Sequence, residues 1–434
     1  MTSSRFTRVL TATAAALTLL APAASATPQH DQNSAQQDSG TLGSGWVGAW
    51  SMSAELPNEF TFEPNWSEAG FANHTVRQVV RVSTGGDTAR IKLSNLYGTT
   101  PLRVSGAVIA KAGDGAAVRP GTTRTLTFGH RSSVVIPAGR ELYSDAAWLP
   151  TAPLDRLSVS LYFAEPTGPA TFHAWASANS YRATGDQRFA RDGGPFTETT
   201  VSNYYLTAVD VAELWARPRK TVVAFGDSLT DGSFSTLGAD NRYPDELAER
   251  LVSAGKPMGV RNAGLAGNRM LDDSLCFGDK AVKRFQRDVL DVPGVRTVIV
   301  SEGINDVIAL TQTEDHPCGP PVPGLTAQIL IDSHRELISL AHARGLRIIG
   351  GTILPYKNNP YEGVYSEEGE AVRDAVNDWI RTSGEYDAVA DFEYAVTSPD
   401  NRDEIRDEFD GGDKLHCNDA GYRAMANAVN LASL

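Results

Sequence analysis

The sequence predicts two folds in one chain, an antiparallel β-sandwich or jelly roll followed by a parallel β-sheet with helices on both faces. Apolar and polar residues alternate up to about residue 215, and short apolar strands alternate with helix-like segments from about residue 220. A length of 434 residues also exceeds that of one typical domain. We therefore expect two folded domains.

The first 45 residues are expected to lie outside both domains. Arg5 and Arg8 precede a short apolar run at 9–20, and the small residues Ala-Ser-Ala follow at 24–26. This pattern is typical of a secretory signal peptide, which we assign to residues 1–26. Residues 27–45 are rich in Gln, Ser, Asp and Gly and are interpreted as a disordered linker. Because the apolar run is too short to span a bilayer, we expect a secreted, extracellular protein without stable membrane insertion.

The charge of the chain argues against a nucleic-acid partner. The formal net charge is -13, and the sequence contains no basic run. Binding to phosphate backbones requires clustered Lys and Arg side chains. With 41% hydrophobic and 21% charged residues, the composition is that of a soluble globular protein.

Residues 46–215 are predicted to form the β-sandwich domain. In LSVSLYF (157–163) every second residue is apolar, and ARIKLSN (89–95) repeats the pattern. Clusters of Gly, Pro and Asp separate such runs at short intervals. A period of two with frequent turns is typical of antiparallel sandwiches. The role of this domain stays open between shaping the substrate site and binding carbohydrate.

Residues 216–434 are predicted to form the α/β domain. Five apolar segments are predicted strands: TVVAF (221–225), GVRNA (259–263), TVIVS (297–301), LRIIGGTI (346–353) and AVADF (388–392). Helix-like segments follow them, at 244–255, 281–290, 327–345, 367–384 and 418–432. In parallel sheets of this kind, functional groups gather beyond the carboxyl ends of the strands.

Three predicted strand ends carry groups suited to acyl chemistry. Gly226 and Asp227 lead from the first strand to Ser228, which is placed at a helix N-terminus with free backbone N–H groups. Gly267 follows the second strand, and Asn305 follows the third with an uncharged amide that suits an oxyanion. Each also has a structural interpretation, as a helix cap or a plain glycine-rich loop.

A candidate base and its orienting acid lie in DKLHCNDAGY, just before the last predicted helix. Asp413 and His416 are three residues apart there. Imidazole is the natural base for a serine nucleophile, and a carboxylate on its far nitrogen fixes the tautomer. Of the eight histidines, only His416 has an acid close behind it at a predicted strand–helix junction.

Four blocks, in order, resemble the SGNH hydrolases, the GDSL esterases and lipases. They are GDSL, NAGLAGN, GIND and DKLH, within residues 220–434. The resemblance implies a flavodoxin-like α/β/α sandwich with about five parallel strands. It also implies Ser228 as nucleophile, His416 as base and Asp413 as orienting acid. The implied oxyanion donors are the backbone amides of Ser228 and Gly267 and the side chain of Asn305.

The three cysteines are Cys276, Cys318 and Cys417. Cys276 and Cys318 both lie in loops rich in Gly, Pro and Asp, so we favour a disulfide between them, although spacing alone leaves other pairings open. Cys417 stands where the SGNH family often has proline, which is expected to change the pose of His416 or to tie it down through a disulfide. A cysteine nucleophile is a further alternative.

The expected function is that of a secreted serine esterase that forms an acyl-enzyme. Polysaccharide-linked acetyl or feruloyl esters are the first substrate class, and lipids, phospholipids or small esters are the alternative. A non-catalytic carbohydrate-binding protein is a third hypothesis. No metal-ligand spacing such as H-E-x-x-H occurs, so we expect no metal and no other cofactor.

Overall fold

The structure is a computed structural model that describes residues 45–59, 63–214, 219–312, 318–398 and 400–434. The signal peptide predicted at 1–26 and the linker predicted at 27–45, apart from Gly45, lie outside these residues. The described residues up to 214 are called the β region and those from 219 the α/β region. Both regions belong to one compact unit.

The β region consists of strands and connecting loops in its described residues. Its strands are β1 (Trp46–Ser51), β2 (His74–Arg81), β3 (Gly86–Asn95), β4 (Leu102–Val104), β5 (Gly106–Lys111), β6 (Arg124–Leu126), β7 (Val134–Ile136), β8 (Arg140–Tyr143), β9 (Ala147–Thr151), β10 (Arg156–Phe163), β11 (Phe172–His173), β12 (Ser180–Thr184), β13 (Glu198–Thr200), β14 (Asn203–Tyr204) and β15 (Leu206–Ala212).

Two antiparallel sheets enclose the core of the β region, as the alternating pattern predicts. One has the order β1-β15-β3-β8, with β9 also paired to β3, and the other has the order β13-β12-β2-β10-β5-β6. The apolar residues of β10 and β3, such as Leu161 and Ile91, are fully buried in one shared cluster. The prediction of a mostly antiparallel β fold for this part of the chain is confirmed.

The polar face of β10 differs from the simple expectation because it is also buried. Ser158 and Ser160 are each 1% exposed. Ser160 Oγ accepts a hydrogen bond from Arg77 Nε at 2.8 Å, and Arg77 Nη1 donates to the carbonyl of Ala116 at 2.6 Å. Loops therefore cover this face of the sheet. The alternation in the sequence reflects the polarity of the side chains and not their exposure to solvent.

The α/β region alternates strands and helices. Its elements are β16 (Thr221–Gly226), α1 (Ser228–Asp231), α2 (Tyr243–Ser253), β17 (Gly259–Gly264), α3 (Ala281–Phe285) with a π-helical continuation (Gln286–Leu290), β18 (Val295–Ser301), α4 (Ile304–Ala309), α5 (Ala327–Ala343), β19 (Arg347–Gly351), α6 (Glu367–Thr382), β20 (Ala388–Ala390), α7 (Phe392–Val396), β21 (Thr397–Ser398), β22 (Asn401–Ile405) and α8 (Asp419–Ala428), with 3-10 turns at Asp407–Phe409 and Leu431–Ser433.

The five predicted strands form one parallel sheet in the order β17-β16-β18-β19-β20. The flavodoxin-like α/β/α prediction is therefore confirmed. The last strand is shorter than predicted and ends at Ala390. Its predicted continuation turns into α7 because Asp391 caps that helix, accepting a hydrogen bond from the backbone N–H of Tyr394 at 3.2 Å. Within the described residues, no helix is both long enough and apolar enough to cross a membrane.

The register of the sheet brings three loops to one level. Gly226, the last residue of β16, lies opposite Gly264 in β17 and Ser301 in β18. The chain segments that follow these residues therefore leave the same edge of the sheet side by side.

The β region covers the β17 edge of the parallel sheet. Backbone N–H of Gly48 in β1 donates to Thr221 Oγ1 at 3.1 Å, and Ser51 Oγ donates to the carbonyl of Asn262 at 2.9 Å. The fully buried Asp210 of β15 pairs with Arg90 from its own region and with Arg261 from β17. An exposed strand edge invites association with other chains, and here the same molecule occupies it.

Candidate active site

Ser228 is the first residue of α1, and the glycine before it explains the sharp turn. A Cβ on Gly226 would collide with the carbonyl oxygen of Ser301 and the side chain of Thr230, so only glycine fits there. Asp227 caps α1 by accepting a hydrogen bond from the backbone N–H of Leu229 at 2.9 Å. The cap predicted as an alternative is thus provided by Asp227, which leaves the Ser228 side chain for another partner.

Ser228, His416 and Asp413 form a continuous hydrogen-bonded chain. Ser228 Oγ lies 2.8 Å from His416 Nε2, and His416 Nδ1 lies 2.6 Å from Asp413 Oδ2. Asp413 Oδ1 accepts from the backbone N–H groups of Leu415 at 3.0 Å and His416 at 2.8 Å. Because the Asp413 carboxylate accepts at Nδ1, His416 carries its proton there and presents an unprotonated Nε2 to the serine hydroxyl.

Hydrogen bonds keep Asp413 ionised in a buried position. Burial opposes ionisation, but the hydrogen bonds from the His416 ring and from two backbone amides hold the pKa of Asp413 below its usual value. Ser228 is 6% exposed and the His416 side chain is 15% exposed, so the reacting atoms lie near the surface without being open to bulk water on all sides.

Gly267 lies on the loop that follows β17, and Asn305 is the second residue of α4, just after β18, so both lie at the same edge as Ser228. Asn305 Nδ2 donates one hydrogen bond to the carbonyl of Asn268 at 2.9 Å, which leaves its second N–H. Gly267 has a φ of 76°, and a Cβ there would enter the ring of Phe277. Among the hydrogen bonds of the described residues, neither the Ser228 nor the Gly267 backbone N–H acts as a donor.

Residues 224–424 match the GDSL-like Lipase/Acylhydrolase family. This part of the chain is a GDSL-like hydrolase domain. Since members of that family cleave acyl esters, the chain is a carboxylic ester hydrolase of the SGNH/GDSL type, as the four blocks predict. A comparison with curated proteins found no match.

Several solved structures are similar to the GDSL domain. The lipase/acylhydrolase from Enterococcus faecalis is 18% identical, covers 48% of this chain and 92% of its own, and has a TM-score of 0.36. A GDSL-like lipase from Bacteroides thetaiotaomicron is 16% identical, covers 49% of this chain and 87% of its own, and has a TM-score of 0.36. The acetyl xylan esterase AlAXEase is 18% identical, covers 48% of this chain and 96% of its own, and has a TM-score of 0.33. The family assignment rests on the match over residues 224–424.

An aromatic ring that the sequence pattern does not indicate borders the hydrogen-bonded chain of Ser228, His416 and Asp413 in the GDSL domain. Phe234 stacks on the His416 ring with centroids 5.1 Å apart and an interplanar angle of 10°. Phe234 is nevertheless 46% exposed. It lies in an irregular loop with a φ of 68°, and neither helical nor strand periodicity distinguishes it in the sequence. The ring therefore covers one face of the His416 imidazole.

Arg284 supports the strand ends of the GDSL domain from below. It is fully buried, and its Nη2 donates to the carbonyl of Gly226 at 2.8 Å and to Glu302 Oε1 at 2.9 Å. Its Nε donates to Asn268 Oδ1 at 2.8 Å, which fixes the loop that carries Gly267. In the sequence, Arg284 lies three residues after Ala281, a spacing that places both on the buried face of the same helical segment.

Buried carboxyl groups surround this arginine. Burial raises the pKa of Glu302 and of Asp227, and the Arg284 guanidinium partly offsets that effect in both. Asp306 is also buried, where it accepts hydrogen bonds from the backbone N–H groups of Met270 at 2.9 Å and Leu271 at 3.1 Å. Within the described ranges, no three His, Cys, Asp or Glu side chains are grouped to hold a metal ion.

The predicted disulfide between Cys276 and Cys318 is present. It links the loop after β17 with the segment after α4. Cys417 is unpaired and buried, so the alternative in which a disulfide ties His416 down is wrong. Burial raises the pKa of the Cys417 thiol, which argues against a role as nucleophile.

Reduction of the disulfide is expected to lower the free energy of unfolding. The bond spans a sequence separation of 42. A disulfide that closes a loop of this size restricts the unfolded chain and thereby stabilises the folded protein by about 2–4 kcal/mol. Urea unfolding with and without dithiothreitol measures the difference, and the Cys276→Ala/Cys318→Ala variant is the control that should not respond to the reductant. An equal response in both proteins would contradict a stabilising disulfide.

Proposed function

We propose that the chain hydrolyses carboxylic esters through an acyl-enzyme on Ser228. The hydrogen-bonded chain from Ser228 Oγ through His416 to Asp413, at 2.8 and 2.6 Å, carries this proposal. His416 Nε2 takes the hydroxyl proton while Oγ attacks the acyl carbon, and His416 then returns the proton to the leaving alcohol. Water, activated by His416 in turn, releases the acid and restores the Ser228 hydroxyl.

The proposed oxyanion hole uses the backbone N–H groups of Ser228 and Gly267 and the second N–H of Asn305. Three features support it: the shared sheet edge, the absence of another acceptor for the two backbone groups among the described residues, and the fixed side chain of Asn305. Donors held in place before the reaction stabilise the developing negative charge without reorganisation.

For the substrate we propose acyl groups on polysaccharides, such as acetyl or feruloyl esters. The exposed face of Phe234 supports this choice, because the ring lies against His416, which protonates the leaving alcohol. We therefore expect the alcohol to leave beside this flat apolar ring. Sugar rings pack their C–H faces on such surfaces, and so do aryl groups.

Lipids and small apolar esters are the second candidate class. Leu275 is 63% exposed on the loop after β17, and Tyr361 is 62% exposed on the loop after β19. Both loops leave the same edge of the sheet as Ser228. Exposed apolar side chains at such an edge favour contact with an acyl chain.

Secretion is part of the proposal as well. The signal pattern at residues 1–26 supports it, and so does the Cys276–Cys318 disulfide. Disulfides form and persist in oxidising compartments outside the cytosol.

A panel of acetylated xylan, feruloyl esters, phospholipids and p-nitrophenyl esters of increasing chain length tests the proposed function. We expect the highest kcat/KM for acyl groups on sugar or aryl alcohols. In Phe234→Ala this kcat/KM is expected to fall by about 3- to 10-fold, the worth of one aromatic contact. Phe189→Ala, which removes an exposed ring from the β region, is the control. Preference for long acyl chains would favour the lipid class, and hydrolysis of none of these esters would contradict the proposed function.

A further inference from the structure

We propose that His173 of the β region is a positioning residue for the nucleophile of the GDSL domain, acting through a buried ion pair with Asp231. The inference deepens the proposed function and rests on Ser228 as nucleophile. His173 and Asp231 are each 2% exposed, and His173 Nε2 lies 3.0 Å from Asp231 Oδ1. The two residues are 58 positions apart in the sequence.

The partners of His173 require a charged imidazole. Nδ1 lies 2.9 Å from the carbonyl oxygen of Ser53, and Nε2 lies 3.1 Å from the carbonyl oxygen of Trp175. A carbonyl oxygen only accepts hydrogen bonds, so both ring nitrogens carry protons and the ring is an imidazolium. Burial opposes this charge, but Asp231 and Glu55 overcome the cost and raise the pKa of His173 to about 9.

The second acidic neighbour of His173 is Glu55, which is also 2% exposed. Its Oε1 lies 3.4 Å from His173 Nδ1 and accepts from the backbone N–H of Ala174 at 3.2 Å. Burial raises the pKa of Glu55 to about 7 even though His173 lowers it. His173 therefore lies between carboxyl groups from both regions, and only the Asp231 contact reaches α1.

Asp231 is the last residue of α1, where a carboxylate needs an external cation. The negative end of the helix dipole lies there and disfavours another negative charge. The helix has four residues and ends at Gly232, whose φ is 98°. A single turn does not hold its own conformation in water, so the contacts at its two ends set the direction of Ser228. Asp227 provides the contact at the first end. At the other end the His173 imidazolium holds the Asp231 side chain, and Asn262 Nδ2 donates to the carbonyl of Thr230 at 2.9 Å.

The same cluster reaches the carboxyl ends of β16 and β17. Arg284 Nη1 donates to Ser53 Oγ at 3.2 Å, while the Ser53 carbonyl accepts from His173. Arg284 also donates to the carbonyls of Gly226 and Ala263, both at 2.8 Å. His173 thus contacts α1 directly, and it is connected to the strand ends through Ser53 and Arg284.

The β region also contacts the loop that follows α1. Backbone N–H of Gly238 donates to the carbonyl of Ser177 at 2.8 Å. Arg156 Nε donates to Asp240 Oδ2 at 2.8 Å. These contacts hold the loop between α1 and α2, whereas the His173–Asp231 pair holds α1 itself. The β region is therefore a part of the catalytic machinery through position rather than through substrate contact.

The test compares full-length wild-type protein with His173→Gln, Asp231→Asn and the double variant, using p-nitrophenyl acetate. Active-site titration with a phosphonate ester counts the competent molecules. For each single variant we expect kcat to fall roughly 10- to 100-fold with KM nearly unchanged, because a small misplacement of Ser228 costs rate rather than binding. The double variant replaces the ion pair by two neutral amides that hydrogen-bond, and its kcat should exceed that of the weaker single variant.

His342→Gln is the matched control, since it removes another His–Asp contact, with Nε2 of His342 3.1 Å from Asp387 Oδ2. That pair is partly exposed and joins α5 to the segment before β20, so kcat should stay at the wild-type value. If His173→Gln does not fold, the isosteric Asp231→Asn carries the test. Lower thermal stability with wild-type kcat per titrated site would overturn the positioning role. Full activity in Ser228→Ala would instead overturn the proposed function, so the two failures are distinguishable.

Discussion

Replacement of Ser228 by alanine is expected to lower kcat for ester hydrolysis by roughly 10⁴-fold or more. Any reaction that remains lacks a covalent intermediate, because no other hydroxyl of the described residues is within hydrogen-bond distance of His416 Nε2. The fold should persist, since the caps of α1 are Asp227 and Gly232 rather than the Ser228 side chain. The KM for small esters should change little, because the proposed oxyanion donors stay in place.

The measurement is steady-state hydrolysis of p-nitrophenyl acetate by purified full-length protein, together with circular dichroism. Ser253→Ala serves as the control, because Ser253 is an exposed serine at the end of α2 in the same domain. Mass spectrometry after treatment with a phosphonate ester should find the adduct in wild type and not in Ser228→Ala. Wild-type kcat in the folded Ser228→Ala variant would rule out Ser228 as the nucleophile.

Asp413→Asn is expected to lower kcat by roughly 10³- to 10⁴-fold. Both oxygens of Asp413 face donors only: Oδ2 faces His416 Nδ1, and Oδ1 faces the backbone N–H groups of Leu415 and His416. An asparagine brings an NH₂ group to one of these positions in either orientation. If the amide nitrogen faces Nδ1, His416 moves its proton to Nε2 and can no longer accept the proton of Ser228.

The opposite orientation of the new asparagine breaks two backbone hydrogen bonds that shape the loop before α8, so neither orientation preserves the triad. Asp407→Asn is the matched control, because Asp407 pairs with Lys414 in the same segment while its side chain is 97% exposed. Its kcat should stay close to wild type. A kcat of Asp413→Asn within tenfold of the wild-type value would mean that Asp413 does not set the tautomer of His416.

The sequence was sufficient to predict the ends of the first three strands of the parallel sheet to within about one residue, together with the residues that follow them. Parallel strands leave the sheet at a common edge, so locating the ends of TVVAF, GVRNA and TVIVS was enough to group the segments that carry Ser228, Gly267 and Asn305. The Asp413–His416 contact is local in sequence and was visible as a three-residue spacing. Strand periodicity and a short sequence spacing were therefore enough to predict which segments carry Ser228, Gly267, Asn305, Asp413 and His416.

The supporting residues could not be predicted in the same way, because their contacts join distant and irregular segments. His173 lies in a strand of two residues, too short to show a period, and its acidic partner lies in the other region. Phe234 meets His416 from a loop with a left-handed residue. Pairings of this kind depend on how the two regions dock, which local patterns do not encode.

The junction between β1 and β17 limits how this protein can be recombined with others. A Cβ on Gly259 would collide with the carbonyl of Gly48, so the two backbones interlock without room for a different neighbour. Asp210 neutralises one arginine from each side of that junction. A chimera that exchanges the β region for an unrelated binding module would leave Arg261 without its counter-charge and β17 without its cover. Engineered variants of this enzyme should therefore keep the two regions together.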